Sequence, residues 1–143
     1  MKNLIVNRID KNLPLPDYQT KGAVAFDLYS REDKIIKIGE IVLLPTNLIV
    51  KVPVGYFLMI ATRSSLPIKK GLTFPHGVGI LDQDFCGPKD EIKIQAMNFT
   101  KKNIKIEKGE RIAQAILVKI ARPNLIEKKI NSKTRGGFGS TGR

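Results

Sequence analysis

One cysteine, Cys86, and one histidine, His76, are all that this 143-residue chain offers as soft metal ligands. A lone thiol forms no intrachain disulfide, and one His with one Cys cannot close a zinc site within a single chain. Any metal used here should be a hard cation held by oxygens. Tryptophan is absent and aromatics make up only 6%, too few for the stacking platform that holds single-stranded nucleic acid. No apolar run approaches the roughly 18 residues of a membrane span. The opening MKNLIVNRIDKN turns polar too early for a signal peptide. The chain therefore reads as soluble and cytoplasmic, with no membrane partner.

What is present is an ordinary globular balance, 42% hydrophobic and 27% charged residues. That balance argues against disorder, and the length suggests one domain. Lys and Arg outnumber Asp and Glu by 25 to 13, for a net charge of +12. Such a field attracts polyanions, be they nucleic acid, anionic membrane or a nucleoside triphosphate. Many lysines alternate with apolar residues, as in KIIKI, EIKIQA and NIKIEK. The solvent face of a strand looks like this, so charge alone names a class of partner and not a function.

The apolar pattern is mostly period two and comes in short segments, which predicts strands at Leu4–Arg8, Ile35–Ile38, Glu40–Leu44, Leu48–Lys51, Phe57–Thr62, Glu91–Asn98, Ile104–Ile106 and Ala113–Lys119. Many short strands separated by turn residues indicate an all-β barrel or jelly roll. Only Ser64–Lys70 reads as helix, with its serines placed to cap the first turn and Gly71 to end it. Residues 1–130 form the expected barrel domain, and 131–143 a flexible Gly-rich arm.

Five segments carry groups suited to chemistry. In ATRSSLPIKKGL, Arg63, Ser64 and Ser65 offer a guanidinium fork, two hydroxyls and the free amides of a helix start. Those are the parts of a phosphate site, although a capped helix beside a solvated arginine explains them equally well. In GVGILDQDFCGPKDE, Asp82 and Asp84 share one face of an extended strand. One could activate a water, yet acidic pairs before a turn are common. Phe85 and a Gly-Pro turn follow, and a hairpin there could read the edge of a base through its backbone. GERIAQA sets Arg111 and Gln114 at a strand start, and AFDLYS places Asp27 among apolar neighbours. A carboxylate there needs a hydrogen-bond partner or a nearby metal. In the tail, glycines surround Phe138, with Arg135 before it and Ser140 and Thr141 after it. Glycines allow backbone amides close to phosphate oxygens; a plain linker rarely carries this set.

In order, AFDLYS, TRSSLPIKKGL, GILDQDFCG, GERIAQA and RGGFGSTG resemble the five motifs of the trimeric dUTPase family, over nearly the whole chain from about Ala23. Each motif is modest, but five in the family's order and spacing are specific. The resemblance implies a distorted jelly-roll subunit and a homotrimer whose active sites are shared between subunits. It implies hydrolysis of dUTP to dUMP and pyrophosphate with Mg²⁺, which keeps uracil out of DNA and supplies dUMP for thymidylate synthesis. A nucleic-acid partner is not required.

Residue by residue, Asp82 matches the carboxylate that activates the attacking water, and Arg63, Ser64, Ser65 and Gln114 match groups on the phosphate chain. Asp27 matches the first-motif aspartate, which reaches the metal through water while substrate phosphates hold most of the Mg²⁺. Arg135, Ser140 and Thr141 would reach the terminal phosphate, and Phe138 would stack on uracil. His76, Gly79, Leu81, Phe85 and Ile92 belong to the hairpin, roughly Gly77 to Ile92, that would enclose base and sugar. Asp84 and Arg111 match a supporting pair. Phe85 stands where tyrosine is usual, His76 where many bacterial members have asparagine, and Arg135 slightly nearer the glycines than the usual arginine. Pro88-Lys89-Asp90 is a short insertion expected to leave the chemistry unchanged.

Two rivals frame the test. A dCTP deaminase shares the fold and needs a glutamate to move protons, for which Glu91 is nearest by position. A basic β-barrel that binds nucleic acid would use the +12 charge instead.

Overall fold

The structure is a computed structural model and describes residues 3–140 and 142. Its strands are β1 (Ile5–Arg8), β2 (Phe26–Tyr29), β3 (Lys34–Ile36), β4 (Ile41–Pro45), β5 (Leu48–Lys51), β6 (Tyr56–Ala61), β7 (Leu72–Thr73), β8 (Gly79–Leu81), β9 (Lys93–Asn98), β10 (Ile104–Ile106) and β11 (Arg111–Lys119). The β-rich, jelly-roll-type architecture expected of the sequence is the one observed. Four antiparallel groups make it up: β2-β11-β6-β8, β4-β9-β7, β1-β5 and β10-β3.

Alternation decides which face is buried. In β4, Val42 and Leu44 point inward while Ile41 and Leu43 point out, and β9 does the same with Ile94, Ala96 and Asn98. One apolar cluster joins residues of all these groups, with Leu28, Leu44, Leu58, Leu72 and Ile106 wholly enclosed. Shortening any of these leucines to alanine removes contacts worth about 2–5 kcal/mol.

Two departures from the period-two reading matter for the site. β2 and β8 were not expected, because Asp27 interrupts the apolar pattern of one and glycine opens the other. The expected Glu91–Asn98 strand begins only at Lys93, which leaves Glu91 and Ile92 outside the ladder.

The helical turn is shorter than expected, Leu66–Lys70 of π type. Ser65 stands at its N-cap, but its side chain makes no capping bond, so the hydroxyl is left for another partner. Gly71 ends the turn as expected: its φ is 71° and its N–H meets the Pro67 carbonyl at 3.0 Å. A side chain on Gly71 would also collide with Thr100. Beyond β11 the Ile120 amide still bonds the Gly55 carbonyl at 3.0 Å, and the chain then runs exposed from Ala121 to Gly136.

Candidate active site

Three of the five segments meet at the exit of β6. Gln114 on β11 lies between Asp27 of β2 and Ala61 of β6 in the sheet register. Its side-chain amide donates to the Thr62 carbonyl at 2.8 Å, fixing the chain just before Arg63. A register shift between Arg111 and Ala113 places Arg111 opposite Tyr29. Without that bulge Ile112 would occupy the position, and Arg111 would not be presented to Asp27.

Asp27 is buried, and each of its oxygens meets an arginine. Arg63 Nε lies 3.0 Å from Oδ1 and Arg111 Nη1 3.2 Å from Oδ2. The carboxylate expected to reach a metal thus holds two arginines instead, and a dication would have to compete with both. Arg63, Ser65, Lys69, Lys70 and Arg111 line the adjoining hollow, of about 580 Å³. Lys70 is paired with Glu110 at 2.8 Å. Lys69 and Lys70 were not among the expected site residues, although KK four residues after the second serine, one helical turn on, is a legible signal for cations on this hollow. Ser64, expected beside Ser65, is exposed and does not line it.

The hairpin builds a second hollow along the β8 side of β6, from Ile60 toward the strand's start. β8 pairs antiparallel with β6, Ile60 opposite Gly79 and Leu58 opposite Leu81. A cleft of about 560 Å³ opens there, lined by Ile60, His76, Gly79, Leu81, Asp82 and Phe85 on one side and by residues 89–93 on the other. Gly79 is needed for close approach, since an added Cβ would sit 3.3 Å from Ile60 Cβ. His76 is exposed and stacks on Phe74, with centroids 6.1 Å apart and planes 12° from parallel. Phe85 is 40% exposed, enough apolar surface to serve as a wall. Ile92 also lines the cleft, but its backbone has nothing to offer a base. Its N–H bonds Leu48, and its carbonyl accepts from both the amide and the hydroxyl of Thr46.

Asp82 is exposed at the mouth of this cleft and, among the described residues, makes no ion pair. Asp84 is exposed as well, and the pair it was expected to form with Arg111 does not occur within the chain. The reason is distance. Arg111 stands with Asp27 at the exit of β6, whereas β8 delivers Asp84 to its start. Leu58, the partner of Leu81, is separated from Arg63 by five residues of chain, roughly 16 Å. Asp82 and the Arg63–Arg111 cluster are thus delivered by opposite ends of the strand.

The tail joins neither hollow. Ser140 donates its amide to Gly137, and this turn leaves Phe138, with a φ of 51°, fully in solvent. Arg135 and Ser140 are exposed, and Thr141 lies outside the described residues. Among the described residues no three His, Cys, Asp or Glu side chains gather to hold a metal, and no helix is long and apolar enough to cross a membrane.

Glu91 is taken up elsewhere. Arg31 grips it with Nε at 2.7 Å and Nη2 at 2.9 Å, the Asn47 amide adds a third bond at 3.0 Å, and the side chain is 6% exposed. The carboxylate in turn pushes the Arg31 guanidinium further above its ordinary value, chiefly through this hydrogen bond. A deaminase's proton carrier must be free to turn toward a ring, and this one is not.

A family model described as dUTPase matches residues 11–142. The chain belongs to the dUTPase family. The deoxyuridine 5'-triphosphate nucleotidohydrolase of Thermoanaerobacter sp. (strain X514) is 40% identical over 137 residues, 92% of this chain and 90% of that protein. The solved dUTPase of Streptococcus mutans aligns with a TM-score of 0.78 at 33% identity, over 86% of this chain and 99% of its own. The dUTPase of Staphylococcus bacteriophage 80alpha, solved with dUPNHPP, reaches a TM-score of 0.87 at 25% identity over 99% of both chains. Of the five dUTPase segments, one chain brings the first, second and fourth together and keeps the third and fifth apart from them.

Proposed function

We propose that this chain hydrolyses dUTP to dUMP and pyrophosphate at sites shared between copies of itself, in a homotrimer. The carrying observation is Asp82, a carboxylate that makes no ion pair among the described residues and stands at the mouth of a base-sized cleft. The delivery of Asp82 and of the Arg63–Arg111 cluster by opposite ends of β6 supports the sharing.

Uracil enters the hairpin cleft beside Gly79 and His76, and the deoxyribose rests on Phe85, which gives a 2′-hydroxyl nothing to bond. A closed cleft leaves no room for the methyl group of thymine. Arg63, Ser65 and Gln114 hold the phosphate chain, with Arg63 pre-set by Asp27 and so needing no rearrangement as charge builds up. Among the described residues no three His, Cys, Asp or Glu side chains gather, so Mg²⁺ would arrive on the triphosphate as part of the substrate and neutralise phosphate charge. Asp82 accepts a proton from a water in line with the α-phosphorus. The new O–P bond forms as the bond to the β-phosphate's bridging oxygen breaks, and pyrophosphate leaves. The tail closes over the nucleotide with Phe138 on the base and Arg135, Ser140 and Thr141 at the outer phosphate.

Pyrophosphate release measured in parallel from dUTP, dCTP, dTTP and UTP with Mg²⁺ tests this reading. dUTP should dominate. Ammonia release from dCTP, or equal rates on all four, would overturn it.

A further inference from the structure

The base cleft has two walls, and among the described residues they are hydrogen-bonded to each other only at the turn that joins them, where the Gly87 amide donates to Asp90 Oδ2 and the Asp90 amide to the Gly87 carbonyl. β8 carries one wall and pairs only with β6, at the edge of the four-stranded sheet. The other, residues 89–93, leads into β9, which pairs with β4 and β7. The gap between the walls therefore depends on what holds Glu91 and Ile92, which precede the ladder.

Six hydrogen bonds hold them. Glu91 takes two from Arg31 and one from the Asn47 amide. Ile92 gives its N–H to Leu48 and receives two from Thr46. Thr46 and Asn47 form the β4–β5 turn and Leu48 opens β5; the turn continues β4, the ladder partner of β9. Arg31 lies outside this segment. It stands two residues beyond β2, at the far edge of the sheet that ends in β8. Its fork is the link among these six that refers the second wall to the sheet of the first. The turn it meets is itself fixed: Asn47 sits at a φ of 70°, and its side chain bonds Asp10 through both amide atoms.

We propose that Arg31 and Glu91 are a positioning pair that sets the width of the base cleft, and through it discrimination against a 5-methyl pyrimidine. This inference rests on uracil occupying that cleft. An ammonium or an apolar side chain at position 31 leaves the second wall anchored on one side only, so the cleft relaxes and admits the larger base. Neither group touches the reacting atoms, and turnover of bound dUTP should persist.

The test compares full-length protein with Arg31→Met, Arg31→Lys and the double variant Arg31→Met/Glu91→Gln, reading kcat and KM for dUTP and for dTTP together with Tm. The double variant leaves no buried charge unpaired, so it separates loss of the tie from loss of stability. The expected result is a fall of about tenfold in the dUTP-to-dTTP ratio of kcat/KM, the scale of one methyl group in a pocket. The fall should appear in Arg31→Met and persist in the double variant, with kcat for dUTP within about twofold. Arg31→Lys should recover only part of the ratio, because one ammonium cannot reproduce the fork. A lowered Tm with an unchanged ratio would show the pair to be purely structural and end the proposal. If the unaltered protein shows no preference for dUTP over dTTP, the assignment of the cleft to uracil fails first.

Discussion

The two ends of β6 follow opposite electrostatic plans. At its exit, a buried carboxylate is spent on holding two guanidinium groups in place beside a hollow lined by further lysines. Toward its start, among the described residues, Asp82 and Asp84 stand exposed and without ion pairs, Asp82 at the mouth of a cleft walled by Phe85, Ile60 and Leu81. Fixed cations bind an anion without reorganising, and a carboxylate tied to a cation is a weaker base. A phosphate clamp therefore wants paired charges, and a general base wants a free one. Each end is chemically incomplete, and what one lacks the other supplies.

Removing the base should have the largest effect. Asp82→Asn keeps the shape and the cleft while losing the proton acceptor, so kcat should fall about a thousandfold, with binding of dUPNHPP retained by calorimetry. The same variant sharpens the comparison when mixed with Arg63→Ala. Each alone is inactive, but subunits exchanged after mild denaturation would form sites with both residues intact, about a quarter of the total for random assembly. If no activity returns on mixing, the two ends do not serve one nucleotide and the shared site is wrong.

Deleting residues 135–143 removes Arg135, Phe138, Ser140 and Thr141 at once. Turnover should drop about a hundredfold through lost positioning. Tm should hold, because these groups add nothing to the core. A truncated chain that works as fast as the full one would refute the tail's part.

Asp27→Asn attacks the clamp. It removes the charge that offsets Arg63 and Arg111. The Arg63 side chain is 29% exposed and that of Arg111 43%, so both can recover water, and the expected loss is about 1–2 kcal/mol, below the usual cost of breaking a fully buried pair. KM for dUTP should rise about tenfold as the two guanidiniums disperse. A chemical-denaturation curve and steady-state kinetics check both.

Much of this was legible in the residues. Alternation in β4, β9 and β11 gave the fold class, and the five segments gave the family. The Asp27 requirement for a partner was also legible, though not which partner, because the bulge that turns Arg111 toward it follows from a register shift in tertiary pairing. Nor could the separation of the clefts be read: it depends on β8 lying antiparallel to β6, and three residues opening on a glycine carry too little pattern to announce a strand. Glu91 looked like the end of a strand and a candidate proton carrier. Its partner lies 60 residues away, and no local pattern records such a contact.

The smallest effect concerns a carboxylate of the paired kind that lines neither cleft. Asp10 lies 2.6 Å from Lys108 Nζ, and the Asn12 amide donates to it at 2.9 Å. The lysine first, and that amide second, hold its carboxyl below the ordinary value of 3.8. A value depressed in the folded state means that the pair's contribution is complete above the unfolded value and disappears as pH falls through the folded one. Lys108→Ala removes the larger cause and leaves the amide, so the Asp10 midpoint in a carboxyl NMR titration should rise toward 3.8 without reaching it. Turnover at neutral pH should not change. An unmoved midpoint would mean that the contact carries no electrostatic weight, and that a close ion pair on this surface says nothing about the charge state of its carboxylate. The contrast between tied and free carboxylates would then need support from the Asp27 clamp alone.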